Sequence, residues 1–209
     1  MKIVSLISSG IDSPVATHLF CDKVEEIVLV HGDIRPFTDE RELINYLKLV
    51  DHLKKKCARI SKSYIIPHGR TLTSYKDKCI SRYTCVFCKR MLLRYAEEIA
   101  KKEGASAIVM GDSLGQVASQ TLQNIKVIDN AVSIPILRPL IGFDKEDIIQ
   151  IARDIGTYDL SIAPSVGCTA VPSDPATRSV IDKVVIEEDK INVLKLVNDA
   201  VSNARLIIH

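Results

Sequence analysis

The feature that most constrains this chain is Ile3–Ala16, IVSLISSGIDSPVA, an apolar strand that breaks into small polar residues and restarts as a helix. Pro14 suits the first turn of that helix, where its missing N–H costs nothing. A strand–turn–helix junction of this kind aims several backbone N–H groups, and the positive end of the helix dipole, at one spot. The hydroxyls of Ser8, Ser9 and Ser13 add donors without bulk, so an anion such as pyrophosphate fits there. Serine, glycine and aspartate also cap ordinary strand–helix turns, and the turn alone leaves both readings standing.

The rest of the chain repeats the pattern. Short apolar runs at Lys2–Ile7, Ile27–His31, Tyr64–Pro67, Ala107–Met110 and Ser133–Leu137 read as strands. Helical periodicity is clearest in Glu40–Lys56, Phe87–Lys102, Lys145–Ile155 and Lys190–Ala204. The alternation predicts an α/β fold with a doubly wound parallel sheet. The first strands end in Ser8-Ser9-Gly10, His31-Gly32-Asp33 and Gly111-Asp112-Ser113, and such carboxyl ends line the ligand crevice of an open parallel sheet. The proline-rich stretch Pro164–Pro175 reads as a loop, after which residues 176–209 form a C-terminal helical arm packed on the same domain as residues 1–175. With 28 basic against 26 acidic residues, no global charge announces an acidic partner. No apolar run approaches the ~18 residues of a membrane span. The N-terminal apolar stretch is too short for a signal peptide, so a cytoplasmic protein with six reduced cysteines is expected.

Ser8–Ser13 resembles the SGGxDS loop of the PP-loop ATP pyrophosphatases, with Ser9 where the usual pattern has glycine. Arg90–Ala100 (RMLLRYAEEIA), Met110–Ile125 (MGDSLGQVASQTLQNI) and Ile136–Ile149 (ILRPLIGFDKEDII) resemble the catalytic domain of the tRNA 4-thiouridine synthase (ThiI-type) family, and the likeness runs from Lys2 to about Ala204. The resemblance implies an adenine nucleotide alpha hydrolase-like fold that adenylates a tRNA uridine with ATP and Mg²⁺, then exchanges its oxygen for sulfur. It implies nucleotide contacts from Leu6, Ile7, Ser8, Ser9, Gly10, Asp12, Ser13, His31, Gly32, Lys89, Gly111 and Gln120. Asp12 would hold Mg²⁺ or orient phosphate, Lys145 would assist adenylation, and Cys168 would transfer sulfur. From the residues alone, Gly111 and Gly115 let backbone approach a ligand, and Gln116, Ser119 and Gln120 are as easily the polar face of a capped helix. Asp144 and Lys145 likewise read as an N-cap and a solvated charge. Alternative functions are the same chemistry on a small molecule or carrier protein, of the thiamine-thiazole type, or a catalytically silent nucleotide-binding module suggested by Ser9.

A thiolate is both nucleophile and leaving group, which suits Cys168 to sulfur transfer; a lone loop cysteine is otherwise an inert thiol. Cys85-Val86-Phe87-Cys88 admits a redox pair, zinc ligation, iron–sulfur ligation or chance. Cys85, Cys88 and Cys168 together make three ligands for an iron–sulfur cluster with one open iron; the competing reading is a Cys168 persulfide resolved by Cys85 or Cys88. Cys79 is a substitute ligand, and Cys21 and Cys57 are expected to be packed.

Relatives usually carry an RNA-binding module ahead of the ATP loop, and some add a rhodanese domain; neither is expected here. The stripe Lys76, Lys78, Arg82, Lys89, Arg90 and Arg94, with Tyr83 and Phe87 interleaved, reads equally as an RNA footprint or as a solvated helix start. A separate module or a second subunit, as in a homodimer, would complete the grip on tRNA, and a sulfur donor is the remaining partner.

Overall fold

The computed structural model describes residues 1–209. The strands are β1 (Lys2–Leu6), β2 (Glu26–Asp33), β3 (Ile60–Pro67), β4 (Ala107–Val109), β5 (Ile136–Leu137) and β6 (Arg205–Ile208). The helices are α1 (Asp12–His18), α2 (Glu40–Lys56), α3 (Gly69–Lys78), α4 (Thr84–Glu103), α5 (Leu122–Asp129), α6 (Lys145–Asp154), α7 (Tyr158–Ser161), α8 (Ile181–Glu188) and α9 (Val193–Ser202). One sheet runs in the order β5-β4-β1-β2-β3-β6, parallel except for β6, which pairs antiparallel with β3. Strand order runs outward from β1 in both directions. The crevice at the carboxyl end of β1 is therefore a topological switch point, where open α/β sheets place their ligands.

Both faces of the sheet are covered, which is why the strands read as continuous apolar runs. Val4, Val28, Val30, Ile66 and Ile108 pack against Phe87, Met91 and Tyr95 of α4. Their neighbours Ile3, Ile27, Leu29 and Val109 point the other way, onto Val15, Tyr46, Leu53 and Ile148. Helix ends follow local chemistry. Asp39 caps α2 by accepting the Arg41 N–H at 3.1 Å, and three lysines fill its last turn. Gly104 ends α4 at φ +68°, the left-handed angle that glycine adopts most cheaply.

The structure corrects the sequence reading in places. Residues 176–209 carry two helices, α8 and α9, packed on the core, and add β6, whose pairing with β3 the short run Arg205–Ile208 did not announce. Ser133–Leu137 shortens to the two residues of β5. Cys21 and Cys57 are packed as expected but not reduced. They form a disulfide between the turn after α1 and the end of α2, with Cα atoms 5.5 Å apart, inside the reach of such a bond. No helix is long and apolar enough to cross a membrane.

Candidate active site

A cavity of about 850 Å³ opens at the carboxyl ends of β1, β2 and β4. It is lined by Leu6, Ile7, Ser8, Gly10, Asp12, Ser13, His31, Gly32, Cys85, Cys88, Lys89, Gly111, Gln120, Lys145 and Cys168. Of the expected site residues only Ser9 stays off the wall.

The loop after β1 is held by its own hydroxyls. Ser13 Oγ accepts the Ser8 N–H at 2.9 Å, and Ser8 Oγ accepts the Gly10 N–H at 3.3 Å. No residue of the loop has positive φ, so serine replaces glycine at position 9 without backbone strain. Gly111, at the end of β4, is required by packing: a Cβ there would stand 2.7 Å from Ser13 Cα and N and 2.9 Å from the Asp12 carbonyl carbon. The close backbone approach that the sequence suggested is made to the loop itself. Across the cavity Lys145, at the start of α6, forms an ion pair with Asp12. Asp144 occupies the N-cap position of that helix, though its side chain makes no capping bond.

Two carboxylates that the sequence reading gave no role complete this half. Asp112 is buried; burial pushes its carboxyl up, but Lys89 at 2.6 Å and Arg138 at 2.9 Å more than offset this and hold it below the usual range. Lys89, expected as a nucleotide contact, is therefore already paired, and Gln120 reaches the same acid at 3.4 Å. Glu42 stands 3.4 Å from His31 Nε2, while His31 Nδ1 bonds the Ile7 carbonyl at 3.0 Å and its ring stacks on Tyr46 at 3.9 Å. Burial pushes Glu42 up, and His31 together with the Ser9 hydroxyl brings it below the carboxylate range. The available signals were the strand-end triplet around Asp112 and the first helical turn at Glu42.

The other half of the cavity carries sulfur. Cys85 and Cys88 start α4, and Cys168 is exposed on the loop from Pro164 to Pro175. That loop is tied down where Thr38 Oγ1 donates to the Val166 carbonyl at 2.5 Å and the Thr169 N–H to the Phe37 carbonyl at 2.8 Å. Burial and the nearby Cys168 push the Cys85 thiol up; the same causes push Cys88 up to about 12. No three His, Cys, Asp or Glu side chains stand at the spacing that holds a metal ion. Cys85, Cys88 and Cys168 line the same cavity. Cys79 is elsewhere, its S–H donated to the Glu187 carbonyl at 3.2 Å.

The expected RNA stripe is largely spent. Arg90 is buried with its Nη2 2.8 Å from Glu188, Arg94 reaches the same carboxylate at 2.7 Å, and Lys89 is held by Asp112. Phe87 is buried and stacked on Tyr75 at 4.4 Å, with Tyr83 against its edge. Lys76, Lys78 and Arg82 still face outward.

The family described as thiamine biosynthesis protein (ThiI) matches residues 1–193. The chain belongs to the ThiI family. Among curated relatives, a probable tRNA sulfurtransferase of Methanothermobacter thermautotrophicus is 46% identical over 193 residues, 92% of this chain and 50% of the relative. Another, of Methanosarcina mazei, is 41% identical over 207 residues, 99% of this chain and 51% of the relative. The chain thus spans about half the length of the curated ThiI relatives it matches. A solved 4-thiouridine synthetase, in complex with RNA and with ATP bound, superposes with a TM-score of 0.94 at 32% identity, covering 99% of this chain and 55% of that one. An NMN synthetase from Francisella tularensis shares the fold at a TM-score of 0.59 and 12% identity.

Proposed function

We propose that this chain binds ATP at Ser8–Ser13, adenylates the carbonyl oxygen of a tRNA uridine with release of pyrophosphate, and replaces that oxygen with sulfur carried on Cys168. One observation carries the reading: the loop, the Lys145–Asp12 pair and three free thiols share a single cavity. ThiI family membership, and the 4-thiouridine synthetase that superposes over nearly the whole chain, support it.

Backbone at Leu6 and Ile7, with His31 and Gly32, receives the adenosine. The amides of Ser8, Ser9 and Gly10 and the Ser13 hydroxyl receive phosphate, those of Ser8 and Gly10 exchanging their bonds to Ser13 Oγ and Ser8 Oγ for it, with Lys89, Gly111 and Gln120 completing the nucleotide subsite. Mg²⁺ would enter with the triphosphate, and Asp12 is the loop carboxylate that would hold it. Lys145 then meets the charge that develops on departing pyrophosphate.

A ring carbonyl oxygen is a poor leaving group and AMP a good one, hence the adenylation. The outer sulfur of a Cys168 persulfide, loaded by a persulfide donor, bonds to the activated carbon; the carbon–oxygen bond breaks with its electron pair leaving on AMP, and the persulfide proton passes to water. A second thiol, Cys85 or Cys88, then bonds Cys168 Sγ and displaces the carried sulfur. The electron pair stays with that sulfur, and the thiol proton follows it through cavity water. The two cysteines are oxidised to a disulfide as the carried sulfur is reduced, and an external dithiol restores them. A separate RNA-binding module or a second subunit supplies the remaining grip on tRNA.

The internal pairing of Lys89, Arg90 and Arg94 favours a second reading, the same chemistry on a small molecule or carrier protein. Pyrophosphate release from ATP, with and without bulk tRNA, separates the two. Release that requires tRNA is expected; release indifferent to tRNA supports the second reading, and no release overturns both.

A further inference from the structure

Glu42, in the first turn of α2, lines the cavity, and no step above uses it. Glu42 and Tyr46 lie one helical turn apart on the same face and together clasp His31. The Tyr46 ring stacks on the imidazole at 3.9 Å, and Glu42 Oε2 stands 3.4 Å from His31 Nε2. On the far edge of the ring Nδ1 lies 3.0 Å from the Ile7 carbonyl, which can only accept, so Nδ1 donates to it. His31 is thus buried and fixed on a face and at both nitrogens. It seals Oε2 of Glu42 from solvent, and Oε1 is the oxygen left to meet the cavity.

A charged carboxylate beside a loop that receives a triphosphate repels it, unless the bound molecule turns a donor toward that carboxylate. ATP carries donors in two places. The exocyclic amino group sits at the far end of the base, and the ribose hydroxyls sit between base and phosphates. Glu42 touches both ends of this path: His31 belongs to the adenosine end, and the Ser9 hydroxyl, which lies against the same carboxylate, belongs to the phosphate loop. The part of the nucleotide that spans these two points is the ribose. A hydroxyl donating to a carboxylate makes a charge-assisted bond, about twice as strong as a neutral one.

We propose that Glu42 is a specificity-determining residue that accepts a hydrogen bond from a ribose hydroxyl of the nucleotide, with His31 as the residue that positions it. The inference rests on the ATP reading of the cavity, and its test is binding rather than turnover. ATP, 2′-deoxy-ATP and 3′-deoxy-ATP are each titrated with Mg²⁺ into the full chain and followed by calorimetry. One of the two analogues binds the unchanged chain about tenfold more weakly than ATP, the size of one hydrogen bond to a charged group. Glu42→Ala removes that difference, because the analogue has already lost the bond. Glu42→Gln, which keeps the shape and an accepting oxygen, retains part of the difference and serves if Glu42→Ala does not fold. His31→Asn, whose amide can still donate to the Ile7 carbonyl but which lacks Nε2, also narrows the difference; a merely structural loss would weaken all three nucleotides alike. Equal affinity of the unchanged chain for the three, or a ratio of ATP to analogue that Glu42→Ala leaves unmoved, overturns the proposal while ATP binding stands. Failure of the unchanged chain to bind ATP at all overturns the ATP reading, and this proposal with it.

Discussion

The two halves of the cavity solve opposite problems. At the half proposed to bind nucleotide the groups are backbone amides and hydroxyls fixed by each other and by Gly111, on a loop at the centre of the sheet. At the sulfur half, two thiols sit deep at the start of α4 and the third is exposed on a loop that hangs from Phe37 and Thr38. Phosphate binding gains from preorganised dipoles that need not move. Sulfur transfer needs one accessible nucleophile that can reach both a donor and a substrate, with its partner thiol kept protonated until required. Fixed donors and an exposed nucleophile are therefore divided between the halves.

The division predicts that chemistry at each half fails separately. Cys168→Ala should lower sulfur incorporation by at least ~10³-fold, as expected for loss of a covalent nucleophile, while pyrophosphate release continues. Parallel assay of thiolated product and pyrophosphate checks this, and joint loss would break the division. Lys145→Ala should act in the opposite sense, lowering the rate of pyrophosphate release by ~10²-fold with little change in ATP affinity.

The helix α4 spans both halves, carrying Lys89 as well as Cys85 and Cys88, and Glu188 fastens it through Arg90 and Arg94. Removing one partner of such a buried set costs ~3–5 kcal/mol, so Glu188→Gln should lower the urea midpoint sharply. Burial pushes Glu188 up, but the two arginines bring it down to about 2, against an ordinary value of 4.5. The folded carboxyl thus binds its proton later than the unfolded one. The stabilisation is complete above about pH 4.5 and is lost as pH falls through about 2, which acid titration of the melting temperature would follow.

Gly111→Ala must displace the backbone of Asp12 and Ser13, and ATP affinity should fall about tenfold, ~1.4 kcal/mol by calorimetry, with the thiols untouched. Ser9→Gly is the smallest change: because the loop uses no positive φ, the KM for ATP should stay within about twofold. A large gain in affinity would show that serine strains the loop after all.

Legibility in the sequence followed how local the cause was. The strand–loop–helix junction at Ile3–Ala16 and the periodicity of α2 and α4 are encoded within a few residues, and they appear where the pattern placed them. The edge pairing of Arg205–Ile208, the Cys21–Cys57 bond and the contact of Glu42 with His31 each join separate elements, whose partners only the fold identifies. The basic stripe was read in part for the same reason. Its charges are real, but Asp112 and Glu188 that neutralise three of them arrive from other elements.

On the proposed function, a triphosphate site and a transferable thiol share one chamber. A crystal structure of the full chain with a non-hydrolysable ATP analogue tests it most directly. Phosphates are expected over the amides near Gly10, with Lys145 turned toward them and Cys168 lining the same chamber. A nucleotide bound elsewhere, or a Cys168 loop facing away from the phosphates, would contradict it.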